Sequence, residues 1–313
     1  MRPLSPESRQ GSSMPISVCV PATRADAIGA TVRAIRRQTW HDWELIVLGQ
    51  GPEAPMQAAV AEAAAGDARV RHLHLAGRGL SLARNAALKQ ASGTVIAFTD
   101  DDCEPKDTWL ASIAAAFRDD PELGLVGGSV VPPAALGWLA TCPTISPAEA
   151  VYDPGKAPRR PPAGWDWIGA NFAIRRDVAE RLGSFDECLG AGSEFPAAED
   201  TDYKLRLEAA GVRMLTTPRA EVVHSNGVRH GWKAMLRSQR NYATGNGAMA
   251  GKLTLMGDPR GREWLEDTRR ECRPELGRPD RAFRSLRRLH YFTAAYERCV
   301  DGYVVDGACL RRR

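Results

Sequence analysis

TVIAFTDDDCEP, residues 94–105, changes from apolar to acidic in a single step. Residues 94–99 have the length and composition of a buried strand. The strand runs directly into Asp100, Asp101 and Asp102. Working outward, the same punctuation recurs upstream. Apolar runs at 16–22, 43–48 and 70–75 predict three more strands. Helical periodicity lies between them, after Asp26 as a cap, over 53–65 closed by Gly66, and over 82–90 with Ser81 as a cap. A further helix is predicted over 109–117. Strands alternating with helices predict an α/β fold: a Rossmann-like, mostly parallel sheet flanked by helices. Ligands of such sheets sit beyond the carboxyl ends of the strands, where Pro21, Gly49 and Asp100 fall.

Downstream the pattern loosens. Residues 132–166 are rich in proline and glycine and read as an irregular, substrate-facing excursion. Regular structure is expected again over 167–174, 177–182, 199–210, 213–216 and 221–224, and beyond His230 the chain reads as helical and basic. The expected division is a disordered leader over 1–14, a main domain over 15–230 and a C-terminal helical extension over 231–313.

Three adjacent carboxylates repel one another unless a cation sits among them. A hard divalent ion, Mn2+ or Mg2+, held by one or two of them together with substrate phosphates would relieve that repulsion. A solvated acidic turn before the next helix is the plainer alternative. A second acidic group, Glu199, Asp200 and Asp202, opens a predicted amphipathic helix. The helix dipole favours carboxylates there, and one of them could equally serve as a general base. His224 ends the apolar run AEVVH and could complete a metal site or touch a diphosphate. Arg78 and Arg84 frame GRGLSLARNAAL, where a guanidinium fork suits phosphate. GNGAMAG, residues 245–251, follows no clear strand, so its glycines read as sites of close packing or a bend.

Composition narrows the class. The chain has 313 residues, 43% hydrophobic and 26% charged, with 42 basic against 38 acidic side chains. A net charge of +4 does not indicate a nucleic-acid partner. The seven cysteines are odd in number and form no C-x-x-C pair, which argues against a disulfide framework or structural zinc and for a reducing, cytoplasmic setting. No apolar run reaches membrane-spanning length, and MRPLSPESRQGSSMP lacks the apolar centre of a signal peptide. Arg281, Arg284, Arg287 and Arg288 fall near one helical face and Arg311–Arg313 form a basic tail. They read either as a solvated face or as a peripheral contact with an anionic membrane.

Taken in order, SVCVPATRADAIGATVRAIRRQTWHDWELIVLGQG, GLSLARNAALKQASGTVIAFTDDDCEPKDTWL and WIGANFAIRRDVAERLGSFDECLGAGSEFPAAEDTDYKLRLEAAG resemble the GT-A fold, inverting glycosyltransferases of family two, over roughly residues 15–230. The resemblance implies a hexosyltransferase-type enzyme that uses a nucleotide-sugar donor, a UDP-sugar foremost, in polysaccharide or glycoconjugate assembly. The acceptor it implies is a glycan, a lipid-linked molecule or a small molecule. It places Pro21, Ala22 and Thr23 at the nucleoside, and Arg78 and Arg84 near the nucleotide. Asp100 would hold the ribose or nucleotide, with Asp101 beside it in the acidic DXD-type motif. Asp102 and His224 would meet the metal at the diphosphate. Asp200 becomes the catalytic base, with Glu199 orienting it or the acceptor. In the family the resemblance names, aspartates usually follow the second strand, where this chain has Val47-Leu48-Gly49-Gln50-Gly51, and Gln50 would stand in as the base contact. Two rival readings keep the same acids: a non-catalytic sugar-nucleotide-binding module of a glycan assembly system, and a metal-dependent nucleotidyltransferase.

Overall fold

β1 (Ile16–Ala22) is buried at every position, as expected of a central strand covered on both faces. It leads into α1 (Ile28–Arg36), β2 (Trp43–Gln50), α2 (Glu53–Ala64), β3 (Val70–Leu75), α3 (Leu80–Gln90) and β4 (Val95–Thr99). Then come β5 (Glu104–Pro105), α4 (Trp109–Asp119), β6 (Leu125–Val131), β7 (Ala140–Thr141), β8 (Ala150–Tyr152), β9 (Asn171–Arg175) and α5 (Arg176–Leu182). Helix α6 (Glu199–Ala209) precedes β10 (Met214–Val223) and β11 (Arg229–His230). The chain ends with α7 (Trp232–Leu255), α8 (Arg260–Glu271), α9 (Pro279–Gly302), β12 (Tyr303–Asp306) and β13 (Cys309–Arg312). This computed structural model describes residues 13–133, 140–156, 160–225, 227–272 and 279–313. The leader expected over 1–14 lies almost wholly outside the described residues.

The main sheet has nine strands in the order β3-β2-β1-β4-β9-β6-β10-β5, with β8 on β10. β9 lies antiparallel between β4 and β6, so β6 and β10 run in the same sense as β1 to β4. The sheet is therefore mostly parallel. One apolar layer joins α1, α2 and α4 to it, and a second joins α3, α5 and α6 to its other face. A third cluster links Leu189, Phe195 and Ala198 to Ala248, Met249 and Leu253 of α7 and Cys299 of α9. The helical extension thus shares its core with the approach to α6. Among the described residues, no helix is long and apolar enough to cross a membrane.

The structure corrects several local expectations. Asp26 does not cap α1; Ala27 occupies that position without a side-chain bond. Gly79, at φ 143°, opens α3 instead of Ser81, and the Ser81 hydroxyl donates to Leu189 O at 2.7 Å, a tertiary tie in place of a cap. The segments 213–216 and 221–224 form one strand, β10, with an irregularity between Thr217 and Glu221. The last residues are not a basic tail on a helix. Tyr303–Asp306 and Cys309–Arg312 pair as a hairpin; Arg311 meets Asp306 and Arg312 meets Glu194, each at 2.8 Å.

Candidate active site

A cavity of about 400 Å³ opens beyond the carboxyl ends of β1 and β4. Its first wall is the acidic turn. The Asp100 carbonyl accepts the Cys103 N–H at 3.2 Å, and the three carboxylates separate into different roles. Asp101 turns inward. One of its oxygens accepts the backbone N–H groups of Thr23 at 2.7 Å and Arg24 at 3.0 Å, and the other accepts the Arg24 guanidinium. It latches the loop after β1 to the end of β4. Asp102 lies 3.2 Å from His224 Nε2 and 2.7 Å from Arg24 Nη2. Asp100 is left facing the cavity.

His224 is fixed from behind, its Nδ1 lying 2.9 Å from Pro143 O. Gly227 must be glycine for that ring to fit, since a Cβ there would come within 2.1 Å of it. Burial would lower the His224 pKa, but the bond and charge of Asp102 raise it. Asp102 is the mirror case: burial would raise its carboxyl, yet His224 and Arg24 hold it below the usual range. Burial and the neighbouring Asp102 charge push Asp100 up to about 6. Ligand atoms of Asp100, Asp102, Cys103 and His224 all lie within 4.8 Å of one another. Burial and the two aspartates push the Cys103 thiol well up, so it stays protonated. The remaining oxygen and imidazole donors fit a hard divalent cation, whose charge would offset the crowding at Asp100.

The second wall starts at Ala198, a non-glycine residue at φ 74° immediately before α6. Backbone in this region is costly for an L side chain and persists only where surrounding structure enforces it. It sets Glu199 and Asp200 at the helix start. The half-buried Asp200 accepts the Gly169 N–H at 3.0 Å on one oxygen and the Thr201 N–H at 2.8 Å on the other. Glu199 accepts Arg84 Nη1 at 3.0 Å, and Arg84 Nη2 donates to Gly169 O at 2.8 Å. Gly169 is therefore gripped at both polar groups, by Asp200 and by Arg84. Burial, then the charge of Asp200, raises the Glu199 pKa.

Helix α7 closes the crevice with Ser238, Asn241 and Tyr242. It can do so because Gly245 lies against Ala197, where a Cβ would meet backbone at 2.6 Å. Further along, Lys252 is 1% exposed and donates to Asp186 at 2.8 Å, Asp202 at 2.6 Å and Ala308 O at 2.5 Å. Asp186 also accepts the Leu310 N–H at 2.8 Å. One buried ammonium thus ties α7, α6 and the terminal hairpin together.

Of the residues singled out from sequence, Pro21, Thr23, Gln50, Arg84, Asp100, Asp101, Asp102, Glu199, Asp200 and His224 line this cavity. Ala22 is buried in β1 and Arg78 is exposed; neither is among the lining residues. Arg84 is 1% exposed, with its guanidinium committed to Glu199 and Gly169. The Gln50 amide is likewise engaged, pairing with both polar groups of Gly79 at 3.0 and 3.3 Å. At Gly49 a Cβ would come within 2.3 Å of His72 Nε2. Sequence reasoning missed Arg24, Arg229, Asn241, Tyr242 and Lys252. Arg24 and Arg229 stand in no motif. Lys252 did leave a signal, as a lone cation ending a glycine-alanine run.

The sequence pattern described as Glycosyl transferase family 2 matches residues 17–183. The chain is 26% identical over 207 residues to the glucosyl-dolichyl phosphate glucuronosyltransferase of Haloferax volcanii, covering 64% of this chain and 65% of that protein. It is 29% identical over 188 residues to the pre-mycofactocin glycosyltransferase of Mycobacterium tuberculosis, covering 58% and 37%. It therefore spans about two thirds of the first relative and well under half of the second. Among solved structures it resembles the mannosyltransferase PcManGT from Pyrobaculum calidifontis, in complex with GDP-Man and Mn2+, with a TM-score of 0.57 and 18% identity over 91% of this chain and 76% of that one. S. aureus TarS 1-349 in complex with UDP-GlcNAc matches with a TM-score of 0.55 and 15% identity over 96% and 97%. Those likenesses establish the fold, which is GT-A. The family pattern covers more than half of the chain, and this protein belongs to glycosyl transferase family 2.

Proposed function

We propose that the protein transfers a glycosyl group from a nucleoside-diphosphate sugar to an acceptor hydroxyl in one displacement that inverts the anomeric carbon. One observation carries this reading. The Asp200 carboxylate lines the same cavity as Asp100, Asp102 and His224, with one oxygen oriented by Gly169. A base and a diphosphate-facing group are both needed within reach of one reacting carbon, and this cavity offers both.

Asp200 takes the proton of the acceptor hydroxyl as that oxygen attacks. Glu199 acts through Arg84, which holds Gly169 and so fixes the N–H that orients Asp200. Asp100, Asp102 and His224 are the residues that would hold Mn2+ or Mg2+, whose charge offsets that of the departing diphosphate. The Mn2+ in the PcManGT complex supports that part of the reading, and the GDP-Man and UDP-GlcNAc complexes support a nucleotide-sugar donor. A panel led by UDP-sugars identifies the donor.

Asp200→Asn tests the base. The variant should bind donor as the wild type does while transfer falls by about 10²- to 10⁴-fold, the usual contribution of a positioned base. Near-normal transfer would remove Asp200 from that role.

A further inference from the structure

The two faces of α7 serve different surroundings. Ser238, Asn241 and Tyr242 face the crevice. Trp232, Lys233, Leu236, Arg237 and Arg240 fall on the opposite side of the helix and line a separate groove, closed by Arg287 of α9. The two helices run in the same sense: Gly247 meets the Phe292 backbone, and one turn on Gly251 meets Cys299. Their N-terminal halves therefore lie together at one end of the molecule. Large apolar side chains stand in water there, with Trp232 58%, Phe283 57% and Leu286 50% exposed. The groove lining is four cations and no acid, and α7 carries no aspartate or glutamate along its length.

We infer that this end of α7 and α9 docks on an anionic bilayer surface. Cations beside an exposed tryptophan and aliphatic side chains are what an interfacial helix presents, with the rings at head-group depth and the charges against lipid phosphate. A soluble polyanion would meet the cations but gives no role to Trp232, Phe283 and Leu286. A second copy presenting the same face would set cations against cations. Of the arginines the sequence suggested for such a contact, the groove takes up Arg287 of the α9 face and adds the α7 cations, whereas Arg311 and Arg312 are engaged with Asp306 and Glu194. Docking here sets the crevice on the other side of the same helix, where Arg229 donates to Ser238 at 3.0 Å. An acceptor anchored in lipid would then present its head group to that wall. The inference does not depend on the chemistry proposed for Asp200.

Co-sedimentation with vesicles tests it, using phosphatidylcholine alone and phosphatidylcholine mixed with phosphatidylglycerol, at low and high salt. The full chain should sediment with the mixed vesicles only, and less at high salt. Lys233→Glu with Arg237→Glu and Arg240→Glu should lower partitioning by about tenfold or more. Trp232→Ser with Phe283→Ser and Leu286→Ser should weaken it at unchanged net charge, and both variants should melt as the wild type does. No binding to the mixed vesicles, or wild-type binding by both variants, would overturn the inference. If only the charge variant loses binding, the face is a polyanion site. If sedimentation velocity shows a dimer that Trp232→Ser disperses, the face is a contact between chains. Either result overturns it.

Discussion

The wall that carries Asp100 and Asp102 stands on neighbouring strand ends. The wall that carries Asp200 is held from far along the chain. In the first, β1 and β4 are adjacent and parallel, so the loop after one reaches the turn after the other and Asp101 latches them. In the second, Arg84 grips Glu199 across 115 residues, and Lys252 grips Asp202 across 50 and Asp186 across 66. The first wall leaves acidic charge facing the cavity. The second pairs Glu199, Asp186 and Asp202 with buried cations and holds Asp200 by backbone N–H groups. The proposed transfer needs both: one surface that gains from a cation, and one whose base cannot drift.

Substitutions should separate the two walls on a stability scale. Lys252→Met leaves Asp186 and Asp202 buried beside each other, and removing one partner of such a network costs about 3–5 kcal/mol. Urea denaturation reads this, and a loss under ~1 kcal/mol would mean the network does not hold the wall. Arg84→Met should cost somewhat less, about 3 kcal/mol, because Glu199 can take up a proton. The sign follows from its raised pKa. A carboxyl that binds its proton more tightly when folded loses stability as pH rises from its unfolded value, 4.5, through the raised one. Wild type and variant share that loss, but without the Arg84 charge the folded value rises further, so the Arg84→Met deficit should grow as pH rises above about 7; a deficit independent of pH would show that Glu199 is not the group left unpaired.

Asp101→Asn removes charge-assisted bonds to Thr23 and Arg24 and should cost about 1.5–3 kcal/mol. Asp102→Asn removes a partner of His224 and Arg24 while relieving the repulsion on Asp100, and it should abolish the effect of Mn2+ on donor binding, read by thermal shift. If Asp102→Asn keeps that effect, the cation is held elsewhere. Ala198→Gly is the smallest change. Relief of the left-handed backbone should raise stability by a few tenths to ~1 kcal/mol, offset by added chain entropy. Destabilisation there would mean that the Ala198 methyl, buried in the third core cluster, outweighs the strain.

The difference between the walls also explains what the sequence could reveal. The sheet and its strand-end acids are local: an apolar run, then aspartates, is legible residue by residue. Asp200 and Glu199 were legible as a helix start. That Arg84 serves Glu199 was not, because nothing local tells an arginine facing phosphate from one buried under a glutamate. The separation of Asp101 from its neighbours was equally hidden, since it depends on where the loop after β1 returns. The terminal hairpin is a different case. Its two-residue Gly307-Ala308 turn, with Gly307 at φ 59°, is a hairpin signal, obscured by the arginines that follow. Of close packing and a bend, the two readings open for the α7 glycines, the structure shows close packing, and the lysine ending that run is the tie between the extension and α6.

The proposed transfer depends on Asp200 driving a single displacement. The most direct test is proton NMR of the sugar released when the enzyme turns over an α-linked nucleoside-diphosphate donor with Mn2+, recorded before mutarotation. The β-anomer should appear first, from wild type and not from Asp200→Asn. Initial release of the α-anomer would contradict the mechanism.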